Sequence, residues 1–387
     1  MKHKLHIGID ASNIRAGGGI THLFELLNAT SAEESNISQI TIWASSKTLE
    51  LLPEKNFLFK SPQKFLDKNI FFRIVWLVFK KKCVLKNSNI DILFVPGGTD
   101  FSNFYPKVSM SQNLLPFELN ESRRYGLGFK FFKCLLLRIF QKYTFINSQG
   151  LIFLTPYARS AVLKVTGHLN FEDCIIPHGI NDRFRLLDER NYRDVEEFTK
   201  EMPCRLLYVS VVEVYKHQWK VIEAIEILEL RGFNVSLDLV GPMGPGKNKF
   251  LKSLNKYYLK GDSIKYHGSI PYDEIEKLYK LADIGVFASS CETYGQIVTE
   301  AMASKLPLVC SNLSSMSDIL GNDGEYFNPE NPIQIANAIQ KMILSKENRV
   351  KYAESAYLKS NTLSWNKCSI DTFHYIQKIY SKSLIKK

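Results

Sequence analysis

The chain has no Cys-x-x-Cys pair, no Asp-x-Asp dyad and no His/Cys cluster at metal-ligand spacing. Its seven cysteines, at 83, 134, 174, 204, 291, 310 and 368, are scattered and odd in number. That argues against a disulfide framework and a zinc site, and fits a reducing compartment. No apolar run approaches the roughly 18 residues of a spanning helix. The amino terminus, Met1-Lys2-His3-Lys4, passes straight into a short apolar segment, too short for the core of a secretory leader. There is no solenoid repeat and no low-complexity tract. A cytoplasmic protein without metal or cofactor is expected.

Acidic residues are scarce in the first half. Residues 1–180 hold 22 Lys and Arg against 13 Asp and Glu, whereas residues 181–387 hold 28 against 26, so most of the net charge of +11 lies in the first half. Two blocks concentrate it. Block 60–86 sets Lys80, Lys81 and Lys82 beside Phe71, Phe72, Val75, Trp76 and Leu77. Block 123–142 mixes Arg123, Arg124, Lys130, Lys133, Arg138 and Lys142 with Phe129, Phe131, Phe132, Leu135, Leu136, Ile139 and Phe140. Basic residues among aromatic ones at helical spacing suit an anionic membrane surface, at the inner face of the plasma membrane, and equally an amphipathic helix with a solvated basic face. No recognition motif accompanies the charge, so nucleic acid is not expected as a partner.

At 387 residues, 45% hydrophobic and 23% charged, the chain can bury two ordinary cores. Strand and helix patterns alternate twice. The first series has strands at Leu5–Asp10, Ile37–Ala44, 90–95, 107–111 and 150–155, with Gly17-Gly18-Gly19 opening a helix after the first. The second has strands at 205–211, Val235–Val240, 264–267, 282–288 and 308–310, with helices between them. A charged stretch, 188–202, separates the series, and 364–384 carries a helical apolar stripe. Alternation of this kind predicts an α/β fold of two doubly wound, Rossmann-like domains facing a central ligand cleft. The expected domains are 1–185 and 186–363, with a carboxy-terminal helix, 364–387, packing back on the first.

The richest segment is 289–303, Ser-Ser-Cys-Glu-Thr-Tyr-Gly-Gln-Ile-Val-Thr-Glu-Ala-Met-Ala. Glu292 falls in a turn between strand and helix, and Glu300 about two helical turns further on, roughly 10 Å along the axis. A carboxylate accepts two hydrogen bonds and suits a vicinal diol. A helix amino terminus suits phosphate. The pair therefore fits a ligand with two hydroxyl clusters and a diphosphate. By contrast, 241–247 (Gly-Pro-Met-Gly-Pro-Gly-Lys) imitates a phosphate-binding loop, but Asn248 follows where Ser or Thr is needed and two prolines remove amides.

Five motifs in order resemble family 4 retaining glycosyltransferases of the GT-B fold. They are the Gly17-Gly18-Gly19 loop, Ile176-Pro177-His178-Gly179-Ile180-Asn181, Tyr208-Val209-Ser210 with Lys216-His217-Gln218, Tyr266-His267-Gly268, and the Glu-x7-Glu segment followed by Leu306-Pro307-Leu308-Val309. The resemblance implies transfer of a hexose from a nucleotide-diphosphate sugar to a glycan or lipid-linked acceptor, as in bacterial O-antigen or capsule synthesis. It implies that Glu292 contacts the donor sugar and Glu300 the ribose. Lys216 would neutralise the diphosphate, and Gly18, Gly19, Ser210, Thr293, Tyr294, Gly295 and Gln296 would complete the donor site. Two departures stand out. The arginine usual five residues before the lysine is Val211, with Arg15 or Lys220 as substitutes. The usual acceptor-side histidine is replaced by Gln112 and Asn113, near Glu118; Asn113 would orient the acceptor. A sugar-nucleotide epimerase and a non-catalytic subunit of the same fold remain alternatives. His22 is expected to be a satisfied helix-face histidine.

Overall fold

The protein is described from a computed structural model covering residues 4–185, 189–259 and 261–385. Residues 1–3, 186–188, 260 and 386–387 lie outside the described residues, among them the start of the expected second domain, Asp188 at the head of the charged stretch and the last two positions of the expected carboxy-terminal helix. The chain divides into two compact units: Met1–Leu119 with Leu127–Gly179 and Ser364–Lys387, and Asn120–Gly126 with Ile180–Leu363.

The first unit is built on seven strands, β1 (Leu5–Asp10), β2 (Ile37–Ala44), β3 (Leu58–Pro62), β4 (Ile92–Val95), β5 (Lys107–Met110), β6 (Gly150–Phe153) and β7 (Asp173–Ile175). All pair in parallel, in the order β3-β2-β1-β4-β5-β6-β7. Helices cover both faces, which is why β4 is apolar at every position and fully buried. The order reverses between β1 and β4. Strand β3, absent from the sequence reading, is an edge strand whose mixed exposure and terminal Pro62 hide the strand pattern.

The long last helix, Trp365–Ile385, belongs to this unit. It packs on the helix Gly18–Ala29, where Thr30 and Ser369 hydroxyls meet at 3.0 Å. The Tyr375 hydroxyl donates to the Glu172 carbonyl at 2.5 Å and accepts from the Leu151 amide at 3.1 Å. Gly179 lies against the Trp365 backbone so closely that a Cβ would collide with it.

Lys81, expected on a basic surface, is instead buried. The helix Ile70–Val75 runs through a π turn, Trp76–Lys80, into Lys81–Lys86. The wider turn brings Lys81 to the same inward side as Trp76. Its Nζ lies 2.6 Å from Asp10 Oδ2 and 2.8 Å from Asp100 Oδ1, and Lys107 Nζ lies 2.9 Å from Asp100 Oδ2. Burial alone would push the Asp100 carboxyl up, but Lys81 and Lys107 outweigh it and hold it well below the usual range.

The second unit has six parallel strands, β8 (Cys204–Val209), β9 (Val235–Val240), β10 (Ile264–Gly268), β11 (Ile284–Phe287), β12 (Leu308–Ser311) and β13 (Glu325–Phe327), in the order β10-β9-β8-β11-β12-β13. The direction of winding reverses between β8 and β11. Loops leaving these neighbours diverge to opposite faces and leave a crevice at their carboxyl ends, where ligands of such sheets bind. The helix Lys346–Ser360, not anticipated, is polar over most of its surface and buries only Arg349, Ala353, Ala356 and Ser360.

Candidate functional site

Both central features of the second unit leave the reversal point of its sheet. After β11 the chain turns through 288–295 before the helix Gln296–Ala303. Gly295 caps that helix at φ +88°, and a Cβ there would sit 2.7 Å from Met316 Cε. The turn is pinned from the neighbouring loop. The Glu292 amide donates to Ser314 Oγ at 2.6 Å, and Ser314 and Ser315 hydroxyls donate to the Glu292 carbonyl at 2.8 and 3.0 Å.

After β8 a short 3-10 turn, Val214–Lys216, ends at His217, whose left-handed backbone (φ 50°) redirects the chain into the helix Gln218–Leu230. The Tyr208 hydroxyl fixes this turn by donating to the Lys216 carbonyl at 2.5 Å. Lys216 Nζ then forms an ion pair with Glu292 Oε1, which also accepts from Ser289 Oγ at 2.6 Å. The two side chains are 11% and 15% exposed, so the pair is sheltered yet open to a ligand. Ser210, closer to β8, donates its hydroxyl to the Val211 carbonyl.

A second polar chain runs beside the first and was not legible beforehand. His217 Nε2 meets Ser290 Oγ at 2.9 Å, and Ser290 donates to Glu121 Oε2 at 2.5 Å. Arg124 Nε donates to the same oxygen at 2.8 Å, and its Nη atoms grip Glu330 at 2.9 and 2.5 Å. The Tyr125 hydroxyl donates to Glu213 Oε2 at 2.6 Å. Thus 120–126, although flanked in sequence by the first unit, supplies three side chains around the Lys216 turn. Burial, with Arg124 adding to it, pushes the His217 imidazole down to about 4, so the ring is neutral at pH 7. Arg124, part of the basic block 123–142 in sequence, is engaged by two carboxylates. Lys220 pairs with Glu223 at 2.7 Å, and in the first unit Arg15 donates to the Leu66 carbonyl at 3.0 Å.

Glu300 is fully buried. Tyr272 donates to its Oε1 at 2.5 Å and Tyr279 to its Oε2 at 3.3 Å, and Arg183 stacks on the Tyr272 ring at 4.0 Å. Burial pushes the Glu300 carboxyl up to about 7, against the opposing pull of the two tyrosine hydroxyls. Thr293 and Tyr294 are buried in the turn, and Gln296 hydrogen-bonds Glu300 one helical turn on. The run 241–247 is explained by packing. Gly241 (φ +137°) lies against the Ser210 carbonyl too closely for a Cβ, and Gly244 and Gly246 lie against the backbone of Val212 and Glu213. A cavity lined by Arg193, Arg205 and Asp283 lies at the amino ends of the strands, away from this site.

In the first unit, Gly17 (φ +65°) precedes the helix Gly18–Ala29, whose first-turn amides at Gly18 and Gly19 have no partner within the helix. A Cβ on Gly17 or Gly18 would meet nothing within 4 Å, and one on Gly19 would lie 3.7 Å from Gln112 Oε1. The structure thus brings Gln112 to the glycine loop. Asn113 is exposed. Glu118, named on the acceptor side, accepts from the Tyr157 hydroxyl at 2.8 Å. His22 departs from expectation: it is buried, neither ring nitrogen has a hydrogen-bond partner, and it stacks on His178 at 4.6 Å. Among the described residues, no group of three or more His, Cys, Asp or Glu is placed to hold a metal ion.

Residues 179–359, which include Lys216, Glu292 and Glu300, match the family model described as Glycosyl transferases group 1. O-antigen chain mannosyltransferase B of Escherichia coli is 25% identical over 169 residues, covering 43% of this chain and 44% of that protein. The matches span less than half the length of the first curated relatives. Among solved structures, a sucrose-phosphate synthase from Thermosynechococcus elongatus superposes at TM-score 0.75 and 15% identity over 98% of this chain and 100% of that one. Anabaena Alr3699/HepE in complex with UDP and glucose superposes at 0.70 and 15% identity over 97% and 100%. The fold is GT-B. At such identities the likeness speaks for architecture, and the reaction has to be argued from the side chains. Among the described residues, no helix of this GT-B chain is long and apolar enough to cross a membrane.

Proposed function

We propose that the chain is a retaining glycosyltransferase of family 4 that moves a hexose from a nucleotide-diphosphate sugar to a glycan or lipid-linked acceptor in surface polysaccharide synthesis. The observation that carries this reading is the Lys216–Glu292 pair, held with Ser289 at the carboxyl ends of β8 and β11. A carboxylate there can accept from sugar hydroxyls. An ammonium beside it can meet the charge that grows on a departing diphosphate. The amides at the start of Gln296–Ala303 face the same need. The mannosyltransferase relative and the UDP- and glucose-bound neighbour agree with that chemistry.

In this reading Glu300 takes the ribose diol once Tyr272 gives up its bond, and Thr293, Tyr294 and Gly295 line the sugar. Gly18 and Gly19 offer amides to phosphate, and Asn113 and Gln112 orient the acceptor, whose proton passes to the leaving phosphate oxygen. Glu118, bonded to Tyr157, supports the acceptor loop. No metal is required, because Lys216 supplies the cation, and the enzyme works in the cytoplasm.

The test is release of nucleoside diphosphate from a panel of UDP- and GDP-hexoses, with Glu292→Ala and Lys216→Ala as controls. Slow release by the wild type, lowered about 100-fold in either variant and unaffected by EDTA, is expected. Nucleotide binding without turnover, even with lipid-linked acceptors, would instead identify a non-catalytic subunit. An epimerised donor would identify an epimerase.

A further inference from the structure

The helix Phe129–Ile146 is buried along one seam, at Cys134, Gln141, Thr144 and Phe145. On the opposite side Phe129, Phe132, Leu136, Ile139, Tyr143 and Ile146 are 40–85% exposed. Their spacing alternates between three and four residues, so at about 3.6 residues per turn they form one continuous stripe. An apolar stripe of this length facing water calls for a cover.

Two facts decide which cover fits. The helix contains no acidic residue, and exposed Lys133 and Lys142 lie about a quarter-turn to either side of the stripe. The neighbouring helical run from Ile70 to Lys86 repeats the pattern. It has no acidic residue, it exposes Phe71, Ile74, Val78 and Phe79, and it carries exposed Lys80 and Lys82. Asp100 ties the two together, pairing with Lys81 at 2.8 Å and donating its amide to Thr144 Oγ1 at 2.8 Å. The exposed residues therefore belong to two helices fastened to one buried residue, the one carrying Lys81 through the Asp100 carboxylate and the one carrying Thr144 through its backbone amide. A second copy of the chain would set cation against cation across such a face. An anionic bilayer surface accepts both parts, rings and aliphatic side chains among the acyl chains and lysines among the phosphates.

The geometry points to these two helices as the face by which the protein lies on an anionic phospholipid membrane. Contact of this kind is lateral and needs no spanning helix. It deepens the transferase reading by presenting the first unit to a lipid-linked acceptor, and it rests on that reading only for the acceptor.

Vesicle co-sedimentation without donor or acceptor tests it independently of transfer. The wild type binds phosphatidylcholine vesicles containing phosphatidylglycerol and releases as salt is raised, and it leaves pure phosphatidylcholine in the supernatant. Replacing Lys133 and Lys142 by Gln lowers the partition coefficient roughly 25-fold, about fivefold per charge. Phe132→Ser with Ile139→Ser abolishes pelleting while the melting temperature holds, since both positions are solvent-facing. As a check that tolerates loss of the serine variant, Phe132→Trp shifts its emission to the blue on anionic vesicles. The four native tryptophans, all buried, contribute a steady background. Equal pelleting on neutral and anionic vesicles, unchanged binding in the glutamine pair, or no blue shift would each overturn the proposal.

Discussion

Replacing Glu300 by glutamine separates the cost of burying a charge from the use made of that charge. The carboxyl has no solvent exposure and its value is pushed from 4.5 up to about 7. At 1.36 kcal/mol per unit the difference is worth about 3 kcal/mol. The folded-state value lies above the unfolded one. The contribution is therefore fully present below pH 4.5 and lost as pH rises through 7. Glutamine has no charge to bury and can still take a hydrogen bond from Tyr272. Wild type and Glu300→Gln should melt close together at pH 4.5. By pH 8.5 the variant should melt higher by roughly 6–12 °C, using 2–4 °C per kcal/mol for a unit of this size. Scanning fluorimetry at constant ionic strength reads this directly. Titration calorimetry with UDP and GDP should show the stabilised variant binding nucleotide at least about tenfold more weakly, the loss of one charge-assisted hydrogen bond. A melting offset that does not change with pH would refute the burial argument. Unchanged nucleotide affinity would refute the ribose role.

Other substitutions probe the supports of the site. Lys81→Met strands Asp10 and Asp100 without their shared cation and should cost about 3–5 kcal/mol in urea unfolding, with little change if the network is dispensable. Gly295→Ala adds a left-handed penalty of about 1–2 kcal/mol to a collision with Met316, and should lower the melting temperature and donor turnover together. Glu121→Gln weakens the hold on Ser290 and Arg124. It should lower kcat with KM for the donor nearly unchanged, whereas a purely structural role would show as lost stability with kcat intact.

Much of the fold could be read from local pattern. Apolar runs mark β1 and β11, and alternating ones mark β2 and β9, the last stopped by Gly241 and Pro242, because parallel strands between helical layers bury most of their side chains. The turn carrying Glu292 was visible for the same reason. What escaped depends on distant partners. Tyr272, 28 residues before Glu300, encloses it. Glu121, Arg124 and Tyr125 reach Ser290, Glu330 and Glu213 from 169, 206 and 88 residues away. Lys81 turns inward because one turn of helix is wider than its neighbours, a feature without a compositional signature. His22 looked like a polar helix position and is packed among rings, which only the approach of His178 and Trp365 reveals.

The short segment Asn120–Gly126 makes the second unit a composite of two stretches of chain. With the last helix returning to the first unit, the polypeptide passes between the units four times. A fragment beginning at Ile180 would hold Lys216, Glu292 and every strand from β8 to β13, yet Ser290 would face water where Glu121 stood, and Glu213 and Glu330 would lose Tyr125 and Arg124. The boundary that matters for an isolated donor-side fragment is therefore not a cut point in sequence. A faithful excision would need a heptapeptide from far upstream grafted back, and a ribosome must release more than three hundred residues before the last partner of that heptapeptide, Glu330, emerges.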